Sequence, residues 1–486
     1  MRRDEIQTVY EQGLDAVVEL VERLFSIIET QRVDVEVLKT QVRELQERLS
    51  TNSSNSSKPP SSDGFNKQTR SLRKKSKKKR GGQLGHRGSR LRMSEKPDST
   101  LLHQPQSCSF CGSSLEEVEG RVLDERRQVF DLPPLKLEVT EHRVVKKKCQ
   151  CCGAENLGEF PVGAHKGASY GERIKGFLVY LHKGQLIPSE RSCQIVEDLF
   201  SHRVSEGTLQ SITRECSAEL EEVCAQIKAG IIKAAVANFD ETGIYVEQHR
   251  DWLHTCSTNH LTYYAFDSKR GRMAMDRIGI LPEFNGVACH DALSSYLSYL
   301  CRHSLCNSHH LRELIFLEEV QNRVWAFELK RLLLKIKGRV DKARARGKTE
   351  LSKSGQTRFV NAYKAILQRG FEREREDPAP PQPTGKRGRK KQSKAKNLLD
   401  RLEKYQEETL RFMRDFRVPF DNNLAERDLR MMKVQQKISG CFRTKEGAKD
   451  FCRIRSYIST MKKQGHNLLE SLRSVFAGNP LLPDTG

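Results

Sequence analysis

The sequence predicts a multidomain α+β fold with four parts. These are an N-terminal coiled coil, a cysteine-paired β domain, a helical domain, and a core of strands and helices interrupted by a helical insertion. Three observations predict it. Apolar residues recur at heptad spacing over residues 10–49. Two Cys-x-x-Cys pairs flank a stretch with strand-like alternation. Beyond residue 233, short apolar runs each lead to an aspartate, as in AAVANFD and NGVACHD.

A chain of 486 residues has room for roughly three domains. Its formal net charge of +22 is concentrated in clusters. This points to a polyanionic partner, because Lys and Arg that neutralise phosphates release condensed counterions. No apolar run approaches the roughly 20 residues needed to cross a bilayer, and MRRDEIQ opens no secretory leader. The expected location is therefore the cytoplasm, in association with the nucleoid, with no membrane partner. Thiols stay reduced there, so paired cysteines suggest metal before disulfide.

Residues 1–50 read as the coiled coil. Leu14, Val21, Ile28, Val35, Val42 and Leu49 fall seven apart, as do Tyr10, Val17, Leu24, Gln31, Leu38 and Leu45. β-Branched residues on the first set and Leu on the second favour a parallel two-stranded coil, with Gln31 as a polar register pin. A homodimer or higher assembly is the expected consequence. Residues 51–97 follow as a disordered basic linker, since STNSSNSSKPPSSDG has too little apolar surface to offset ordering. Within it Lys74, Lys75, Lys77, Lys78, Lys79 and Arg80 form an arm suited to DNA phosphates.

Residues 98–165 read as a zinc-binding domain. Cys108, Cys111, Cys149 and Cys152 can supply the four thiolates of one tetrahedral structural zinc. Cys151 competes within the second pair, and His142 is a weaker ligand. Alternating Leu135, Leu137 and Val139 suggest strands that return the second pair to the first. Residues 166–232 show three helical patterns with Ser205 as an N-cap. The spacer SHRV suits a helix-turn-helix, and Gln210, Ser211 and Arg214 are expected on the exposed face of its third helix, the first and last as DNA contacts.

The core is expected in two parts, residues 233–300 and 416–463, with a C-terminal element over 464–486. In the first part AAVANFD is a strand ending at Asp240, and GIYVEQHRDWLHTCST a hairpin with HRD at its turn. HLTYYAFDS is a third strand, RMAMDRIGILPEF a helix, and NGVACHD a strand ending at Asp291. That order matches an RNase H-like fold, in which the first and fourth strands are neighbours. Carboxylates so placed repel unless cations lie between them, and Mg²⁺ or Mn²⁺, two ions per site, suits oxygen ligands and phosphodiester chemistry. Residues 301–415 read as a helical insertion with a disordered basic tether over 376–396. Cys306, His309 and His310 open it; these are metal-ligating residue types, but helix-start packing is the reading favoured there and no role is assigned. The segment DNNLAERDLR then begins a helix, with Asn422 or Asp421 as its cap. Asp421, Glu426 and Asp428 all compete as a third carboxylate. Lys433, Lys437 and Arg443 follow closely enough to hold a DNA backbone.

Several runs resemble transposases of the insertion-sequence sixty-six family (IS66-type). They are ACHDALSSYL (288–297), RHSLCNSHHLREL (302–314), FRVPFDNNLAERDLRMMKVQQKISGCFR (416–443) and FCRIRSYISTMKKQGHN (451–467). SSNSSKPPSSDG (53–64) and KKRGGQLGHRG (78–88) are similar to that family too. The resemblance implies a catalytic glutamate in the AER step, hence Asp240, Asp291 and Glu426 as a DDE triad. It also implies a zinc-binding domain at the paired cysteines, element ends and target DNA as substrates, and helper proteins of the same element as further partners. The expected chemistry is metal-assisted cleavage followed by strand transfer. A nuclease of the same fold that cuts without joining, and a non-catalytic zinc and helix-turn-helix regulator, are the competing readings.

Overall fold

The structure is a computed structural model that describes residues 3–56, 63, 85, 88, 90–161, 163–164, 166–376 and 392–486. The basic arm Lys74, Lys75, Lys77, Lys78, Lys79 and Arg80, and residues 377–391 of the 376–396 tether, lie outside the described residues; the end of the tether, expected to be disordered, is instead the start of a helix at Lys394.

Two helices open the chain, α1 (Arg3–Glu11) and the 36-residue α2 (Leu14–Leu49). Gly13, at φ +103, breaks the helical path between them. Tyr10 therefore stands on α1, and the heptad seam begins at Leu14, one position later than expected. Val21, Leu24, Ile28, Val35, Leu38, Val42 and Leu45 are all exposed on α2.

In the cysteine region two strands, β1 (Lys146–Lys148) and β2 (Glu155–Leu157), pair antiparallel. The strands expected around Leu135, Leu137 and Val139 are absent among the described residues. Leu135 and Val139 are exposed, Leu137 is half-buried, and none finds a neighbouring strand; alternation stabilises a strand only where a face is buried.

Four helices follow, α3 (Glu172–Val179), α4 (Ser189–Phe200), α5 (Glu206–Glu219) and α6 (Glu221–Lys233). Ser205 caps α5 as expected, accepting the Thr208 N–H at 3.0 Å. A π-helical turn, Tyr180–Gly184, extends α3. Its end carbonyls are met by buried Arg455, which donates to Lys183 O at 3.3 Å and Gly184 O at 3.1 Å.

The sheet comprises β3 (Val236–Val246), β4 (His249–Ser257), β5 (Thr262–Asp267), β6 (Val287–His290) and β7 (Arg302–Leu305), with α7 (Arg272–Ile278) between β5 and β6. Strand order is β5-β4-β3-β6-β7. The first three strands are antiparallel, and β6 and β7 run parallel to β3. The expected adjacency of first and fourth strands is present. Three details differ from expectation. β3 does not stop at Asp240 but runs on to Val246. The hairpin turn is Glu247–Gln248, both at positive φ, and HRD begins β4. β7 joins the sheet within the stretch read as wholly helical, because four residues are too few to show a period.

The insertion packs α8 (Asn307–Glu319), α9 (Val324–Arg344), α10 (Lys353–Glu376), α11 (Lys394–Lys404) and α12 (Gln406–Leu410). They surround an apolar core of their own, centred on Leu314, Trp325, Leu333 and Leu399. The chain then returns as α13 (Asn423–Ser439), α14 (Lys445–Lys463) and α15 (Leu468–Phe476).

Side chains alternate along β3. Ala237 and Phe239 enter a core that also holds Leu209 and Ile227 of α5 and α6 and Tyr457 and Leu472 of α14 and α15. Ile244 and Val246 enter another with Leu429 and Met432 of α13. Helices α3–α6 thus share one hydrophobic core with the sheet. The approach of β6 to β3 is very close at its start. A Cβ on Gly286 would lie 2.4 Å from Ala234 O and 2.8 Å from Ala235 O.

Gly286→Ala is therefore expected to destabilise the chain by about 1–3 kcal/mol, as overpacking does. Urea unfolding measures it, and an unchanged midpoint would show that the β3–β6 junction yields freely.

Candidate active site

Asp240 lies midway along β3 on the face shared with Asn238 and Thr242, toward α13. Its carboxylate accepts the Glu241 N–H at 2.9 Å. Burial raises its pKa well above the usual carboxylate range, and the charges of Glu241, Asp291 and Glu426 push the same way. Asp291 directly follows β6 and accepts the Leu293 N–H at 3.1 Å. Glu426 sits in the first turn of α13. Burial raises its pKa, Arg312 and Arg430 oppose, and Asp421 and Asp291 reinforce. The Asp291 charge at the end of β6 thus acts on the ionisation of both Asp240 on β3 and Glu426 on α13.

One buried side chain ties these elements together. Asn422 accepts from Asn238 Nδ2 at 2.8 Å and donates to Phe239 O at 2.8 Å, on either side of β3 just before Asp240. Its own N–H meets Cys306 Sγ at 3.1 Å, and the Cys306 N–H donates to His290 O at 2.9 Å, at the end of β6. Asn422 was expected to cap α13 with its side chain. It makes no such cap bond, because its amide is committed across the site. Behind Asp291, His303 Nε2 donates to Tyr299 O at 3.0 Å, which leaves its Nδ1 to accept from His290 Nε2 at 3.0 Å. Burial holds His290 neutral, its pKa lowered to about 3, and its ring stacks on Tyr296 at 4.7 Å.

The rival acids separate clearly. Asp428 Oδ2 accepts from Ser257 Oγ at 2.7 Å, Thr262 Oγ1 at 3.1 Å and Lys463 Nζ at 2.8 Å, so its charge is spent on fastening α13 and α14 to the sheet. Asp421 accepts from Asn423 N–H at 3.3 Å and affects the site through Glu426.

Glu241 and Arg270 escaped sequence reasoning. Glu241, on the opposite face of β3, is buried against Tyr296 Oη at 2.5 Å and Arg270 Nη2 at 2.7 Å. Arg270 and Arg250 both stack on Trp252, each 4.9 Å from the ring centre. His309 Nδ1 lies 3.9 Å from Glu426 Oε1, and neither buried atom has a hydrogen-bond partner among the described residues. Together with Cys306 they form a set of donor atoms within 4.8 Å of one another. Oxygens of Asp240, Asp291 and Glu426 do not form such a set among the described residues. The adjacency of His309 to Glu426 follows from β7 delivering α8 beside β6, which a sequence without a visible β7 does not reveal.

The cysteine pairs form two matching knuckles. The N–H of Gly112 donates to Cys108 O and that of Gly153 to Cys149 O, each at 2.9 Å, with both glycines at positive φ. Ser113 Oγ and its backbone lower the Cys111 thiol to about 7, and backbone donors of Cys152 and Cys151 lower Cys149. Such turns suit thiolates. Among the described residues no three of these sulfurs come within 4.8 Å of one another.

Of the expected DNA contacts, Arg214, Lys437 and Arg443 are exposed. Lys433 leans on the β3–β4 hairpin, with Nζ 3.3 Å from Gly243 O. Gln210 is half-buried and donates to Ser189 Oγ at 2.9 Å. It follows the buried Leu209 and so faces the first turn of α4, not solvent.

Stability should report the acidic cluster directly. The folded pKa of Asp240 lies above its unfolded value, near 3.9. Its stabilising contribution is present below the unfolded value and is lost as pH rises through the folded one. In magnesium-free buffer at pH 7, Asp240→Asn is expected to raise Tm, by about 2–4 °C per kcal/mol gained. The gain should vanish near pH 4. A lowered Tm at pH 7 would refute the strained cluster.

Residues 167–450 match the family described as the transposase IS66 family, and residues 105–153 match the zinc-finger binding domain of transposase IS66. Residues 4–92 match a family of unknown function. No curated protein matches the chain. No helix among the described residues is long and apolar enough to cross a membrane. The first match covers more than half of the chain, from just before α3 into α14, and holds Asp240, Asp291 and Glu426. The chain belongs to the IS66 family of transposases, with a zinc-finger region ahead of its DDE domain and DNA transposition as its implied activity.

Proposed function

We propose that the chain cuts DNA at the ends of its insertion sequence and joins the freed ends to target DNA, using Asp240, Asp291 and Glu426 as a DDE triad on an RNase H-like core. The observation that carries this reading is the influence of the Asp291 charge on the ionisation of Asp240 and Glu426, three carboxylates carried by elements that Asn422 fastens together. The donor set suits hard dications: the oxygens belong to carboxylates, and Glu426 Oε1 is a buried acceptor with no partner among the described residues. Bound Mg²⁺ or Mn²⁺, two ions per site, would supply the charge that activates water or a 3′-hydroxyl and steadies the leaving oxygen. Ions in such pairs stand about 3.5–4 Å apart, so carboxylates serving them need not converge on one point.

The remaining residues take supporting roles in this reading. Asn238 and Asn422 set the separation of β3 and α13. The Glu241–Arg270 pair neutralises a buried charge behind Asp240. Lys433, Lys437 and Arg443 extend from the acidic site along α13 and beyond it, where they meet DNA phosphates. Arg214 on the α4–α5 helix-turn-helix and the basic arm Lys74, Lys75, Lys77, Lys78, Lys79 and Arg80 add sequence-independent contacts. Cys108, Cys111, Cys149 and Cys152 hold one structural zinc when their knuckles meet. The exposed seam of α2 pairs with a second copy of the chain, bringing two cores to two element ends.

Two measurements test this. Labelled element ends incubated with Mg²⁺ should be cut and joined. Asp240→Asn, Asp291→Asn and Glu426→Gln should each lower both steps by about a thousandfold, several kcal/mol of lost charge stabilisation, while end binding persists. Near-normal cleavage by any one variant removes that residue from the triad, and cutting without joining favours a nuclease.

For assembly, Val35→Asp in the full chain should convert a sedimenting dimer to monomer and reduce paired-end joining more than single-end nicking. Gln31→Leu should raise the melting temperature of the coil and loosen its oligomer number. A parent chain that sediments as a monomer at tens of micromolar would end the coiled-coil reading.

A further inference from the structure

The insertion meets the sheet edge in a cavity of about 660 Å³. Six of its lining residues are cationic, Arg302, Arg344, Lys348, Arg411, Arg414 and Arg417, against two acids, Glu350 and Asp415. Both acids are already taken. Asp415 holds Arg417 at 2.8 Å, and Glu350 holds Lys353 at 2.9 Å and Gln356 at 2.9 Å. Arg302, Arg344, Lys348 and Arg411 form no ion pair among the described residues.

Two of these guanidinium groups are pre-aimed. Arg411 Nε donates to His303 O at 2.7 Å, and Arg344 Nη2 to Phe416 O at 2.5 Å. Each uses one of five N–H donors, so the rest of a rigid fork faces the cavity. Arg414 pairs with Glu407 through Nη1, while its Nε is buried without a partner among the described residues. Packing this much like charge into one concavity costs stability, and the apolar core of these helices is built from other residues.

We propose that this cavity binds the sugar–phosphate backbone of DNA, as a second phosphate site separate from the acidic one. Val287 and Arg302, the first residues of β6 and β7, line it, whereas Asp291 follows the last residue of β6. The two sites therefore stand at opposite ends of the same strands, about 13 Å apart along a four-residue strand. Bidentate arginine forks match phosphate oxygens, and an open cleft of this size admits a backbone running past. The occupant is taken to be DNA because the chain is a transposase, so the inference rests on that family reading but not on the triad. It also gives the insertion a purpose, since α9, the turn that follows it and the segment after α12 supply five of the six cations.

The test is salt-dependent binding of the full-length protein to duplex DNA. Arg302→Gln with Lys348→Gln, both exposed and outside any ion pair, should weaken binding of all sequences alike. The slope of log affinity against log salt should fall by about 0.9 per lost contact. Arg344→Gln added to the pair should lower it again, and circular dichroism checks that each variant folds. An unchanged slope in the triple variant overturns the proposal. So does tight binding of pyrophosphate by the parent chain that DNA does not displace, which would mark a small-anion site. Because only binding is read, a chain that binds DNA without cutting it would contradict the proposed triad and leave the cavity standing.

Discussion

Asn422 is the joint on which the acidic site depends. Its side chain is nearly inaccessible, and every polar atom it owns is committed: to Asn238 and Phe239 on one side, to Cys306 on the other. A buried amide that lost one partner would leave a donor or acceptor unsatisfied, at a cost of about 1–3 kcal/mol. The arrangement is therefore all or nothing, and β3, the β6–α8 junction and α13 hold a fixed mutual spacing. Carboxylates that repel one another can be kept together only by a frame this stiff. The frame is polar where an apolar one would serve stability better, which is the usual signature of a site shaped for something other than folding.

The shared core of α3–α6 with the sheet has a mechanical consequence. A helix-turn-helix on a flexible tether could search for DNA independently of the core. Here Leu209 and Ile227 pack against the same cluster as Phe239 and Tyr457. Whatever α5 touches, it touches at a set distance from Asp240. The insertion differs, having its own apolar centre and joining the sheet through β7 and α12.

The legible parts of the sequence were those with strong local signals. The strand–hairpin–helix–strand order, Asp291 at the end of its strand and the Ser205 cap were readable because alternation, β-branching and capping are local properties. Two failures have a local cause as well. The hairpin turn is Glu247–Gln248, with neither Gly nor Asn to announce positive φ, so HRD was read as the turn. Gly13 interrupts the helix within an otherwise continuous heptad, at a φ of +103. Other features were beyond any local reading. β7 becomes a strand only because β6 lies beside it. The choice between Glu426 and Asp428, two residues apart on one helix, turns on which face of α13 meets Ser257 and Lys463. Gln210 is withdrawn from solvent by a serine in the preceding helix.

The Asn238–Asn422 bond spans 184 positions of the chain. On a ribosome adding about 5–20 residues per second, the two aspartates wait roughly 10–40 s for the glutamate helix. During that interval the sheet can form around Asp240 and Asp291, and the insertion can pack its own centre. Neither product holds all three carboxylates. A message truncated before α13 would therefore yield a chain that lacks Glu426 and also the α14 and α15 side chains of the shared core, so that completing the fold and completing the acidic site are one event.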